Sequence, residues 1–223
     1  MLWQCPTDAV AALVLAHGAG AGMRHKSMQA IADAFERRGI ATLRFDFPYM
    51  TAGRNRVDSP DVATQAIAEA YAAAAERTTL PIWLGGHSFG GRMATHAIVD
   101  RAVPAAGLIL CSFPLHMPGK PDTKRAQHLK SIAKPMLFLS GTRDDLATPT
   151  LLEPLVQSLP NAQLHWLDTA DHGYRVLKRS RTRTDSVFDE MAEVARAFVD
   201  SQKGAQKGTD LFSSENKSVP LLR

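Results

Sequence analysis

One serine of this chain stands in a setting that ordinary turn serines lack. Ser88 lies within Gly86-His87-Ser88-Phe89-Gly90-Gly91, with the apolar run Pro81 to Leu84 before it and a helix-like segment, Arg92 to Arg101, after it. Glycines framing a serine between a strand and a helix describe a tight turn that lifts the hydroxyl above the sheet edge on strained backbone angles. A β-carbon at 86 or 90 is expected to collide with the neighbouring strand or helix, and Gly91 lets the helix start close to the sheet. A hydroxyl alone is a weak nucleophile, so this chemistry needs a base and an orienting acid. Both follow. The apolar run Pro135 to Leu139 leads into Ser140-Gly-Thr-Arg-Asp144-Asp145, with a carboxylate at the carboxyl end of a strand. The run Gln163 to Leu167 leads into Asp168-Thr-Ala-Asp171-His172-Gly173, with an imidazole on the loop after another strand. The chemistry specified is acyl transfer: Ser88 attacks a carbonyl and His172 takes its proton.

Each of these residues also has a bland reading. Ser88 reads as a simple turn serine, His172 as a surface loop histidine, and either Asp144 or Asp145 fits the acid. Asp171 is expected to orient its own loop. The loop His17-Gly18-Ala19-Gly20-Ala21-Gly22 follows the first long strand and opens a helix. In the serine-centred reading, one N–H of this loop and the N–H of Phe89 form an oxyanion hole, each donor typically contributing about 10²–10³ in rate. Ala19 is the expected loop donor, with Gly20 next. His17, Gly18, Gly20 and His87 flank the site as substrate-binding candidates, although His17 and His87 equally read as packed rings beneath it.

Two other motifs pass through the same loop. Gly18-x-Gly20 begins a dinucleotide fingerprint, with Asp46 near the end of the next strand, but Met23 stands where the third glycine belongs. Gly20 to Ser27 differs from a phosphate-binding P-loop at His25, which puts a ring where backbone must wrap phosphate. Neither reading accounts for the loops around Ser88 and His172.

The elements that must position these residues are legible as apolar runs at 11–16, 41–47, 81–85, 106–112, 135–140 and 162–167, separated by helix-length segments such as Ser27 to Arg38 and Asp61 to Arg77. Strands buried on both faces and alternating with helices specify a mostly parallel sheet with crossovers on both sides. Six core strands are expected, with a short seventh near Leu2 to Gln4. The connection from Phe113 to Lys134, partly helical over Lys124 to Ile132, is too short for a large cap domain.

With 223 residues, 45% of them hydrophobic, the chain suits one domain. Residues 1–201 form that domain, and 202–223, rich in Gly, Lys, Ser and Gln, are expected to be a mobile tail. The net charge of +4 is scattered and describes no nucleic-acid face. The densest basic segment, Lys178 to Arg183, reads as a solvated loop or as a site for an anionic partner. Cys5 and Cys111 fit neither a disulfide framework nor a metal site, which points to a reducing, cytoplasmic setting. Cys111 reads as a small core residue. The histidines are too dispersed for a metal, and no cofactor is implied. The apolar stretch 9–16 lacks basic residues before it and includes Asp8 upstream, so it reads as a buried strand and not a leader, and nothing approaches membrane-spanning length.

The stretches His17-Gly-Ala-Gly-Ala-Gly22, Leu43-Arg-Phe-Asp-Phe-Pro-Tyr49, Gly86-His-Ser-Phe-Gly-Gly-Arg92, Phe113-Pro-Leu-His116, Gly141-Thr-Arg-Asp144 and Asp171-His-Gly173 together resemble the α/β-hydrolase superfamily. Within it the likeness is to small dienelactone-hydrolase-like enzymes, and to bacterial relatives of the hydrolase-like subunit of the non-specific-lethal chromatin complex. The serine, acid, histidine order is that of the superfamily. The resemblance implies a single-domain α/β-hydrolase fold without a large cap, acting on a small-molecule ester or thioester. It also implies that the acid is Asp144, three positions after Gly141, which leaves Asp145 as a cap for the following helix. The chromatin-complex relative implies an alternative, a catalytically silent scaffold that binds a partner protein. Oligomeric state is left open.

Overall fold

Runs of consecutive apolar residues become strands whose two faces are both covered. The computed structural model describes residues 1–214. In chain order the elements are β1 (Leu2–Gln4), β2 (Ala11–Ala16), α1 (Lys26–Arg37), β3 (Ile40–Phe45), α2 (Pro48–Thr51), α3 (Pro60–Ala75), β4 (Ile82–His87), α4 (Phe89–Arg101), β5 (Leu108–Cys111), a 3₁₀ segment (Lys124–Ser131), β6 (Met136–Gly141), α5 (Pro149–Gln157), β7 (Ala162–Leu167) and α6 (Val187–Ser214). They form a seven-stranded sheet in the order β1-β3-β2-β4-β5-β6-β7. Only β1 is antiparallel, with Trp3 opposite Leu43 on β3; every other pair is parallel.

Alternate residues of each strand feed two separate apolar layers. Ala12, Val14 and Ala16 of β2 join Leu84, Leu110 and Phe138 beneath α3 and α4. Leu13 and Leu15 join Ile109, Leu137 and Leu139 beneath α1 and α6, against Phe35, Met191 and Phe198. Helices thus cover both faces, as the unbroken apolar runs require.

The strand order reverses between β2 and β4. From β2 the chain moves outward to β3, then returns across β2 to β4 and continues the other way. The loops after β2 and β4 diverge at this point and leave a crevice at the carboxyl ends of the strands, where open α/β sheets bind ligands.

The expected six core strands and the short edge strand are all present, and the connection between β5 and β6 holds a single 3₁₀ segment with no cap domain. The helix expected from Arg92 begins earlier, at Phe89, immediately after the serine. Of the expected mobile tail, residues 202–214 continue α6, and 215–223 lie outside the described residues. Among the described residues, no helix is long and apolar enough to cross a membrane.

Candidate functional site

Ser88 occupies the turn between β4 and α4 with φ 52° and ψ −116°, a conformation that a side-chain-bearing residue adopts only when its surroundings force it. The force is close packing. A β-carbon on Gly86 would overlap the Ala16 carbonyl of β2, and one on Gly90 would meet the same carbonyl group and, at 2.6 Å, the carbonyl oxygen of His17. The turn can therefore fold tightly against β2 only with glycine at both positions, as the sequence implied.

His172 and Asp144 converge on this turn. The Ser88 Oγ lies 2.8 Å from His172 Nε2, and His172 Nδ1 lies 2.9 Å from both carboxylate oxygens of Asp144. A carboxylate only accepts, so Nδ1 carries the ring proton, and Nε2 is left to accept from the serine hydroxyl. Asp144 is 2% exposed, and its Oδ1 also accepts from the Leu146 N–H at 2.8 Å. The chain of bonds can move a proton from Ser88 to His172 while Asp144 holds the imidazole in one tautomer.

Each partner is held by its own loop. Asp171 Oδ1 accepts from the N–H groups of Gly173 and Arg175, both at 2.9 Å, which shapes the turn bearing His172. His116, buried after β5, donates its N–H to the Leu146 carbonyl and accepts from Thr148 Oγ1 and Thr148 N–H at 2.7 and 3.2 Å, bracing the loop of Asp144. Asp145 does not cap the next helix. It is exposed at the rim of the cleft, and the residue preceding α5 is Thr148, which makes no side-chain cap bond. Asp145 lies three residues before that position, and no hydrogen bond joins its side chain to the first turn of α5 among the described residues.

The loop after β2 lies alongside. The Gly18 carbonyl accepts from His17 Nδ1 at 2.9 Å, Tyr49 Oη at 3.4 Å and the Ala21 N–H at 3.3 Å, which turns it inward. Among the described residues, neither the Ala19 N–H nor the Phe89 N–H finds an acceptor. Ala19 lines the cleft with Gly18, Ser88 and His172. Gly20 is exposed at φ 76° and stands off the cleft wall. Asp46, the acid weighed for a dinucleotide ribose, accepts instead from the Met23 N–H at 2.7 Å and ties this loop to the end of β3.

The two flanking histidines differ from each other. His17 has no exposed surface, and its Nε2 accepts from the Phe47 N–H at 3.1 Å while Nδ1 serves Gly18. With both nitrogens engaged inside the protein, His17 holds the loop and is not part of the cleft wall; burial lowers its pKa, which favours the neutral ring. His87 lines the cleft. Its Nε2 donates to the His172 carbonyl at 2.9 Å, so it joins the serine turn to the loop of the base, and burial pushes its pKa down to about 4.

The cleft has a volume of about 1110 Å³ and opens beside Ser88 and His172. Its walls include Lys26, Arg143, Arg175 and Phe188, which nothing in their spacing had marked. The basic segment 178–183 stands apart from it. There Arg181 is buried and paired with Glu190 at 2.6 Å, so this segment is in part a structural ion pair and not only a solvated loop. Cys111 is buried in the core and Cys5 is exposed, both as free thiols. Among the described residues, no group of His, Cys, Asp and Glu could hold a metal ion.

Comparison with known proteins places this geometry in context. Residues 9–200 match the profile of the alpha/beta hydrolase domain. Among solved structures, the chain is similar to Est1E from Butyrivibrio proteoclasticus with ferulic acid bound, at TM-score 0.69 and 16% identity over 91% of this chain and 94% of that one. It is similar to a dienelactone hydrolase from Anabaena variabilis, at TM-score 0.64 and 18% identity over 88% of each chain. It is also similar to an α/β serine hydrolase without a lid from Xanthomonas campestris, at TM-score 0.59 and 20% identity over 98% of this chain and 89% of that one.

Proposed function

The chain belongs to the alpha/beta hydrolase family, and on that footing we propose that it is a serine hydrolase cleaving a small carboxylic ester or thioester. The observation that carries the reading is the unbroken run of hydrogen bonds from Ser88 through His172 to buried Asp144. Ser88 attacks the acyl carbonyl as His172 Nε2 takes its proton, and Asp144 stabilises the imidazolium. The N–H groups of Ala19 and Phe89 stabilise the oxyanion of the tetrahedral intermediate. His172 returns the proton to the departing alcohol or thiol, leaving Ser88 acylated. Water then gives a proton to His172, attacks the acyl group and releases the acid. Two free thiols in a chain of this size favour a reducing compartment, and we place the protein in the cytoplasm on that basis.

A fluorophosphonate probe tests this directly. Wild-type protein should label and turn over a short nitrophenyl ester, and Ser88→Ala and His172→Ala should do neither. Labelling that persists in Ser88→Ala overturns the assignment. Folded wild-type protein that neither labels nor turns over leaves the scaffold reading in its place.

A further inference from the structure

We propose that Tyr174 is a positioning residue whose ring sets His172 at its working distance from Ser88; this rests on the serine-hydrolase reading and adds the part that holds the base in place. Of residues 171–175, the turn that bears His172, Tyr174 alone is buried. Its ring is therefore the one apolar anchor of that turn. The Tyr174 N–H donates to the Asp171 carbonyl at 2.9 Å and the Asp171 N–H to the Arg175 carbonyl at 3.0 Å. These bonds shape the turn without fixing its height above the sheet. Bringing the ring inward has a cost, since Tyr174 sits at φ 65°, a left-handed conformation that a bulky side chain adopts only when its surroundings force it.

The ring enters the apolar layer that holds Cys111, Ala170 and Val187 and meets Phe188 of α6 edge-on, with centroids 5.8 Å apart. It also lies 5.5 Å from the ring of His87, which in turn lies 5.3 Å from the ring of His172. Tyr174 thus follows the base by two positions in the chain and packs on the residue that precedes the nucleophile, so the width of its ring is part of the spacing between the two loops. The same layer reaches the nucleophile a second way, because the Cys111 carbonyl accepts from the Ser88 N–H at 2.9 Å. The hydroxyl contributes nothing comparable. It is buried with no hydrogen-bond partner among the described residues, and burial pushes its pKa well above the usual value, so it is not placed to exchange protons with His172. At 4% exposed, Tyr174 offers a substrate little surface.

The test compares Tyr174→Phe, Tyr174→Leu and Tyr174→Ala with wild type, by kcat and KM on 4-nitrophenyl butyrate and by the rate of fluorophosphonate labelling. Each protein is assayed well below its own melting temperature, so that folded molecules are measured. Tyr174→Phe keeps the ring, removes only an unpartnered hydroxyl, and should stay within about threefold of wild type. Tyr174→Ala should lower kcat about a hundredfold and change KM by less than about threefold, the loss expected when reacting groups stand about 1 Å out of line. Tyr174→Leu retains apolar volume in the slot, which protects folding, and should lose about tenfold in kcat. Labelling should slow in step with kcat. A role in stability alone leaves kcat of the folded Ala and Leu variants at the wild-type value, and that result overturns the proposal. So does a rise in KM at constant kcat, or a loss in Tyr174→Phe as large as in Tyr174→Ala. Where all three variants match an active wild type and Ser88→Ala is inactive, only the positioning role falls. Folded wild-type protein that neither labels nor turns over removes the serine-hydrolase reading and this role with it.

Discussion

Replacing Asp144 with asparagine changes one atom of the side chain and tests whether this carboxylate sets the proton on His172. The Leu146 N–H, 2.8 Å from Oδ1, holds the amide oxygen at that position because the amide NH₂ cannot accept. The NH₂ then takes the place of Oδ2, 2.9 Å from His172 Nδ1. An Nδ1–H there would meet the NH₂ and keep only the neutral amide oxygen at the Oδ1 position, also 2.9 Å away, whereas an Nδ1 lone pair accepts from the NH₂. The tautomer balance shifts towards a proton on Nε2, where the ring can no longer accept from Ser88. The negative charge that would stabilise the imidazolium is lost in the same step. Together these should lower kcat by about 10⁴, or about 5 kcal/mol of transition-state stabilisation. Asp145→Asn, at the exposed rim and without contact to His172, should change hydrolysis of a neutral nitrophenyl ester by about threefold or less. Initial rates and the rate of fluorophosphonate labelling measure both variants, with circular dichroism to confirm folding. Equal losses in the two variants, or a loss under about tenfold in Asp144→Asn, refute the geometry argued here.

Three further outcomes are expected. Gly90→Ala places a methyl group against the backbone of β2 and, at 2.6 Å, the His17 carbonyl oxygen; it should cost about 2–4 kcal/mol in urea unfolding and abolish labelling, and a wild-type midpoint would contradict the packing account. Glu190 is 3% exposed and joins Arg181 at 2.6 Å and His165 at 2.9 Å, so Glu190→Ala should destabilise by about 3–5 kcal/mol by stranding buried Arg181. Adding Arg181→Met should recover most of that loss, and a double variant no more stable than the single one argues against it. His87 has its pKa pushed below the usual 6.5, to about 4, chiefly by burial, so the unfolded chain binds more protons than the folded one between those values. Its contribution is complete above about pH 6.5 and fades as the pH falls towards 4, with a slope of up to about 1.4 kcal/mol per pH unit. His87→Gln should flatten the urea-derived stability profile in that window, and parallel profiles would count against it.

The parts of this molecule that the sequence made legible are those in which a local pattern has one physical outcome. An unbroken apolar run such as Ala11 to Ala16 cannot be an amphipathic surface element, so it became β2, buried on both faces. Gly86-x-Ser88-x-Gly90 has a local outcome for the same reason, since both glycine positions abut backbone and not a side chain that could move. The choice between Asp144 and Asp145 was different. The residues themselves left both open and only the family position after Gly141 favoured Asp144; in the fold the spatial neighbours, His172 and the Leu146 N–H, separate the buried carboxylate from the exposed one. The 3₁₀ segment Lys124–Ser131 and the early start of α4 at Phe89 lie at boundaries where propensity is weak and tertiary contact decides.

What the sequence did not display is the role of residues that act through a partner distant in the chain. His17, read as a candidate for touching substrate, spends one nitrogen on the Phe47 N–H and the other on the Gly18 carbonyl, so its work is to join the loops after β2 and β3. His87 likewise joins the serine turn to the loop bearing His172. Both rings are neutral because burial disfavours their charge, and a neutral imidazole is what these positions need: one N–H to donate and, at His17, one lone pair to accept. A lysine or arginine has no acceptor atom for the Phe47 N–H, and a carboxylate has no donor for the Gly18 or His172 carbonyls. The alignment of Ser88 with His172 therefore depends on two uncharged histidines, each linking two of the four loops, so substitutions at 17 and 87 should displace the reacting groups without removing any of them.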